Sequence, residues 1–340
     1  MGPDGVALYS QMLKSRRFEE AVSQLWQEGH ISAEMHLNIG EEGIIAGVVD
    51  HLIEGDAMAL DHRGTAPLVM RGVDLVSLLK EFLGEEDGLC GGMGGHMHLF
   101  APELFAASSG IVGASGPAAC GFAFANQHLR PNNVAVAFFG EAAMNQGMLM
   151  ESINLAAAWS LPVLFVCKDN GMGITTPSKK TTGGDLCTRA RGLGAEAVSV
   201  DGADVRAVWH EAGKAVERAR KGKGPSFLHA TCVRPKGHFL GDPLLRIVHK
   251  PVDELKNKVG PLMKAATSGG ASLGNRAASL GSIAEILSKA SKMRKLGRHD
   301  PVKKQGNLLS NSDRSGVEIA IDEEVASAVR TATQSLEARP

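Results

Sequence analysis

Two short runs constrain this chain more than anything else in it. Residues 134–139 read VAVAFF and residues 161–167 read LPVLFVC, with no polar side chain in either. A strand with one wet face alternates apolar and polar residues, so a run that is apolar throughout must be covered on both faces. The stretch between the runs, about 145–159, carries Met148, Ile153, Leu155 and Ala156 at helical spacing. Strand, helix, strand is the unit of a parallel sheet. The order repeats downstream as AEAVSVDG at 195–202, a helical stretch at about 204–221, and PSFLHATCV at 225–233. The expectation is an α/β fold with a doubly wound, mostly parallel sheet, rather than a bundle or sandwich.

The 340 residues suffice for one large α/β domain or two smaller ones. A helix is expected over 5–29, where Leu8, Met12, Leu13, Val22 and Leu25 can share a face, and another over the tail at 321–338. Aromatic residues are only 4% of the chain, so packing must rest on aliphatic side chains. A formal charge of −1 gives no whole-chain attraction to nucleic acid or to an anionic membrane. No apolar run approaches the roughly 18 residues of a membrane span, and the first residues lack a signal layout. The five cysteines are dispersed and never in C-x-x-C, which reads as reduced core thiols in a cytoplasmic protein.

Glycine-rich loops at 88–98 (GLCGGMGGHMH) and 110–121 (GIVGASGPAACG) let the backbone approach a ligand, or are linkers. Past residue 255 the composition turns to Ser, Gly, Ala and Lys, and residues 250–304 carry a net +8. The expected division is an α/β domain at 1–255, a basic insert at 256–298 with a short helix around 282–295, and a helical segment at 299–340.

The chemistry concentrates between 134 and 177. Glu141 follows the first apolar run and Asn170 the second. Parallel neighbours place both at one edge of the sheet, where open α/β folds bind ligands. A carboxylate and an amide oxygen there suit Mg²⁺, which favours oxygen ligands and keeps phosphate and water among them. The helix after Gly140 would offer free N–H groups to phosphate. On spacing alone, a helix cap at Glu141 and a turn at Asn170 read as well.

This segment, FFGEAAMNQG…ESINLAAAWSLPVLFVCKDNGMGITTP, resembles the α subunits of thiamine-diphosphate-dependent E1 dehydrogenases, over roughly residues 5–250 and weakly over 299–340. The resemblance implies the thiamine-diphosphate-binding fold, with Glu141, Asn170 and the carbonyl of Met172 on Mg²⁺. It implies His62 and Arg63 at the cofactor diphosphate, with Gly140, Glu141, Ala142 and Asn170 forming the fingerprint around it. Gly110 and Val112 would grip the aminopyrimidine ring. His36 would face the substrate carbonyl, and His238 would reach the diphosphate. His96 and His98 match a G-G-x-M-H stretch that is not a metal site. The carboxylate that activates the aminopyrimidine belongs to a β chain in this family. An E1 β subunit in an α₂β₂ heterotetramer and a lipoyl-E2 acyltransferase are therefore the implied partners. Pyruvate, a branched 2-oxo acid and acetoin all remain compatible substrates.

Two departures favour an alternative, a catalytically silent homologue with a structural or regulatory role. Ala142 stands where a second glycine is usual, and Thr65 where relatives carry His. The basic insert has no counterpart in the resemblance. A chain lacking 257–297 is expected to keep its fold and its cofactor binding, measured by thermal unfolding and calorimetry. A Tm lowered by many degrees would show instead that the insert packs as part of the domain.

Overall fold

The computed structural model describes residues 2–32, 34–241 and 299–337; the basic insert at 256–298, with its expected short helix, lies outside them. The chain opens with α1 (Gly5–Gln27), whose first amides are capped by Asp4. There follow α2 (Glu42–Val49), β1 (Ala57–Leu60), α3 (Thr65–Met70) and α4 (Leu75–Leu83). Next come β2 (Phe100–Ala101), β3 (Ala106–Ser108), α5 (Ser115–Leu129), β4 (Ala135–Gly140), α6 (Gly147–Ala158) and β5 (Val163–Asp169). A small hairpin, β6 (Met172–Gly173) and β7 (Thr176–Pro177), precedes α7 (Leu186–Gly192), β8 (Glu196–Asp201), α8 (Val205–Arg220) and β9 (Ser226–Thr231). The described residues end with α9 (Pro301–Gly306) and α10 (Asn311–Glu337).

Seven strands form one sheet in the order β2-β3-β1-β4-β5-β9-β8, parallel throughout except where β2 runs against β3. The two apolar runs are its neighbouring strands β4 and β5. Their alternate side chains feed two cores, one on each face. Val136, Phe138, Leu164 and Val166 join residues of α1, α2, α4 and α8, while Ala137, Phe139, Phe165 and Cys167 join α5, α6 and α7. α10 packs on α1 and α4. No helix among the described residues is long and apolar enough to cross a membrane.

The chain moves from β1 to β3 on one side, then returns to lay β4 on the other side of β1. That reversal opens a crevice beyond the carboxyl ends of the strands. Gly140 pairs with Lys168 across β4 and β5, so Glu141 and Asn170 leave the sheet at the same edge, as the spacing implied.

Three local expectations change. Residues 115–121, read as half of a glycine-rich loop, are the first turns of α5. Ala119 and Ala123 bring that helix close to Ala57, Ala59, Ala135 and Ala137, and this small-on-small packing sustains helix where local composition disfavours it. After Gly140 the chain makes a 3₁₀ turn over Glu141–Asn145 before α6 begins at Gly147, so the amides nearest the edge belong to that turn. Cys90 and Cys232 are only partly buried, although all five thiols are free.

The loop at 88–98 is no linker. It wraps around the carboxylate of Glu81 on α4, which is buried and accepts four main-chain N–H groups: Cys90 at 2.6 Å, Gly92 at 2.9 Å, Gly94 at 2.7 Å and Gly95 at 3.0 Å. The turn is so tight that a Cβ on Gly94 would lie 2.2 Å from the carbonyl oxygen of His98. Glu81→Gln replaces an oxygen facing two of these donors with an amide that cannot accept. It should lower stability by about 2–4 kcal/mol, the cost of stranding buried donors, as read from chemical denaturation. Unchanged stability would mean that the loop holds its shape without the carboxylate.

Candidate active site

The crevice is a cavity of about 550 Å³ at the carboxyl edge of the sheet. Each wall is an extension of a strand or of the loop ahead of α2. His62 and Arg63 follow β1, Gly110 and Val112 follow β3, and Gly140 ends β4 with Glu141 and Ala142 just beyond it. Met172 lies beyond β5, His238 beyond β9, and His36 comes from the loop before α2. Asn170 is the one expected site residue that does not line the cavity. Its amide oxygen accepts from Arg234 at 2.5 Å, and Arg234 stands in the wall.

The loop carrying His36 is held from beneath. Asn38 donates its main-chain N–H to both oxygens of the buried Glu19, at 2.9 and 2.8 Å, and its side chain donates to Glu41 and to the carbonyl of Arg63. Gly40 adopts φ +102°, and a Cβ there would sit 1.9 Å from the carbonyl oxygen of Val233. Only glycine lets this loop pass so close to the segment after β9.

Three imidazoles, those of His36, His62 and His238, meet with a nitrogen of each within 4.8 Å of the others. The ring of His36 lies nearly perpendicular to those of His62 and His238, at centroid distances of 4.7 and 4.9 Å. Its Nδ1 lies 2.8 Å from Nε2 of His96. Burial, reinforced by neighbouring cationic groups, pushes the imidazolium forms of His36 and His62 down to about 2, so both rings are neutral at ordinary pH.

Arg63 is buried and largely committed to protein. One terminal nitrogen donates to the carbonyl of Leu37 at 2.5 Å, the other to the carbonyl of His238 at 2.6 Å, leaving only Nε without a hydrogen-bond partner. The guanidinium thus ties the His36 loop to the His238 loop. Burial lowers its pKa to about 10, which leaves it charged.

Beneath the imidazoles lies an ion network that the sequence reading missed. Lys168, 1% exposed at the end of β5, sits 2.9 Å from Glu41 and 3.2 Å from Asp61. Glu41 also faces Arg234 at 3.6 Å. Burial works against the Glu41 carboxylate, but Lys168, Arg234 and Arg63 outweigh it and hold its pKa below the usual range. The signal was present: a lysine directly after LPVLFVC, on a strand covered on both faces, needs carboxylate partners.

At the Glu141 end of the cavity, burial raises the pKa of that carboxyl group, which accepts from Ser178 at 2.5 Å. Asp169 shapes the turn beside it, accepting from Gly171 N–H and bonding His229 at 2.8 Å. That bond raises the pKa of His229 to about 9. Ala142 turns its methyl toward Gly173, where a Cβ would come within 3.3 Å of it, so Gly173 makes the room that Ala142 takes. Thr65 begins α3, is buried, and takes no part in the cavity wall.

This arrangement, a cavity at a parallel sheet edge with neutral imidazoles above a buried ion network, coincides with a sequence match. Residues 10–267 fit the family model of the dehydrogenase E1 component. The chain belongs to the dehydrogenase E1 component family. This E1 chain is 40% identical over 237 residues to the α subunit of acetoin:2,6-dichlorophenolindophenol oxidoreductase of Bacillus subtilis, covering 69% of the chain and 71% of that relative. It is 37% identical over 269 residues to the pyruvate dehydrogenase E1 component subunit alpha of Rhizobium meliloti, covering 75% and 77% respectively.

The ion network makes a sharp demand on the E1 chain. Lys168→Met removes the cation that Glu41 and Asp61 share and leaves buried carboxylates short of a partner. A loss of about 3 kcal/mol is expected, measured by urea unfolding. A loss below about 1 kcal/mol would mean that Arg234 alone suffices to hold Glu41.

Proposed function

We propose that this chain is the α subunit of a thiamine-diphosphate- and Mg²⁺-dependent E1 dehydrogenase, acting on a 2-oxo acid or on acetoin in the cytoplasm. The observation that carries this reading is the set of buried donors at the cavity. His62 Nε2 and Arg63 Nε have no hydrogen-bond partner among the described residues, and Arg234 Nε has only the Glu41 carboxylate, 3.6 Å away. Buried polar groups of this kind call for acceptor oxygens, and a diphosphate supplies them.

His62 and Arg63 would hold the diphosphate, together with His238. The main chain at Gly110 and Val112 would hold the aminopyrimidine, with Gly140 and Ala142 beside the diphosphate. Glu141, Asn170 and the carbonyl of Met172 would hold Mg²⁺. A divalent cation would favour the charged form of Glu141, which burial opposes. When bound, thiamine diphosphate supplies the nucleophilic carbon and the electron sink. His36, neutral and facing the cavity, would hydrogen-bond the substrate carbonyl oxygen. Thr65 lies away from the cavity and Ala142 has room beside Gly173, so the two departures that suggested a silent homologue lose their force.

Ile111 and Val112, 62% and 52% exposed, stand in the cavity wall. Exposed apolar groups beside a polar site fit a wall that a second chain completes. We therefore assign the partners as an E1 β subunit in an α₂β₂ assembly and a lipoyl-E2 that accepts the acyl group. The purified chain alone, given both cofactors and an artificial electron acceptor, should turn over neither pyruvate, branched 2-oxo acids nor acetoin. Adding the cognate β chain should produce the heterotetramer and turnover together. Robust turnover by the α chain alone would overturn the shared site, and an inert heterotetramer would restore the silent homologue.

A further inference from the structure

The contact between His36 and His96 extends the reading of His36 as the histidine at the substrate carbonyl, and rests on it. The two ring planes differ by only 19°, with centroids 5.1 Å apart. That is the separation of two imidazoles laid end to end across the 2.8 Å contact between Nδ1 of His36 and Nε2 of His96. The rings therefore meet edge to edge in nearly one plane, with the lone pair of one nitrogen along the N–H of the other. His36 is 7% exposed and His96 3%. Burial, with Arg63 nearby, holds His96 neutral as well, its pKa pushed down to about 4. One proton then lies between two neutral rings, and its placement decides what His36 shows the cavity.

If His36 donated, His96 would carry its own proton on Nδ1. No described residue offers that nitrogen an acceptor, so its N–H would have no protein partner. If His96 donates, only a lone pair is left there, which is the lesser penalty, because an N–H without a partner is a rarer defect than an under-used acceptor. His36 then keeps its proton on Nε2, the ring nitrogen not taken by His96, on a side chain that lines the cavity. We propose that His96 is a positioning residue: it donates to Nδ1 of His36 and fixes the tautomer that presents Nε2–H to the substrate oxygen on which negative charge develops. His36 then acts as a neutral, pre-aimed donor. The supporting loop suits this task, since Gly94 and Gly95, immediately before His96, are both bonded to Glu81.

The test uses the assembled α and β chains with ¹⁵N-labelled histidine. Long-range ¹H–¹⁵N correlation should show the proton of His36 on Nε2, with Nδ1 accepting. In His96→Gln the side-chain amide can donate to the same nitrogen, so the tautomer should persist and kcat should stay within about threefold of wild type. In His96→Leu the tautomer should become mixed and kcat should fall about tenfold, part of what one fixed oxyanion donor supplies. KM and thiamine diphosphate affinity should hold, because the bond matters most in the transition state. A wild-type His36 protonated on Nδ1 would overturn the proposal. So would a His96→Leu complex with wild-type kcat, or one that loses cofactor binding and assembly instead of kcat. If the wild-type complex turned over no substrate, the functional reading would fail, while the tautomer measurement would still decide whether His96 donates to His36.

Discussion

A lysine ammonium removed from water must have counter-charges within a few ångströms, and much of this site is arranged around that requirement. Lys168 stands at the carboxyl end of β5, in the middle of the sheet, and meets it with Glu41 and Asp61. Glu41 belongs to the loop that carries His36, and Asp61 to the end of β1 just ahead of His62 and Arg63. One cation thereby fixes the spacing of three chain segments whose side chains line the cavity. Arg63 and Arg234 add the second layer, tying the loops after β1, β5 and β9 together through main-chain and side-chain oxygens. A network of this kind contributes more to the uniqueness of the site than to net stability, because desolvation offsets most of its attraction.

The glycine-rich loop at 88–98 follows a similar logic with opposite polarity. A single buried carboxylate, Glu81, gathers four N–H groups and turns a flexible composition into a fixed one. Glycine supplies the tight backbone, and the acid supplies the reason to stay there. Both carboxylates, Glu41 and Glu81, act on the main chain and on cations beneath the cavity, while the imidazoles face the space itself.

What was legible in the sequence follows from range. β4 and β5 announced themselves because burial on both faces leaves an uninterrupted apolar run, and a parallel pair fixes where Glu141 and Asn170 emerge. The histidines and Arg63 were reached through motif resemblance rather than spacing. The ion network was not, since Lys168 and Asp61 are 107 positions apart and only the sheet order brings them together. The helical start of α5 was misread as loop because its glycine and alanines report close packing on the sheet rather than local flexibility. Arg234 went unnoticed for a related reason: its partners, Asn170 and Glu41, lie on different segments, and nothing local in VRPKG marks it.

The hydrogen bonds at Glu141 and Asn170 have a consequence for how the site fills. Each offers an oxygen that is already engaged, one by the hydroxyl of Ser178 and the other by the guanidinium of Arg234. On the proposed reading, a cation taking both oxygens would compete with a hydroxyl and with a positive charge, and its apparent affinity would be its intrinsic affinity reduced by the free energy of that exchange. The displaced guanidinium already stands in the cavity wall, where an incoming anion can receive it. Cation and anion would then each lower the work of admitting the other, and linkage requires such coupling to be the same in both directions. On the proposed reading, loading would be a cooperative exchange of partners, with Arg234 passing from an amide to a phosphate as a metal took its place.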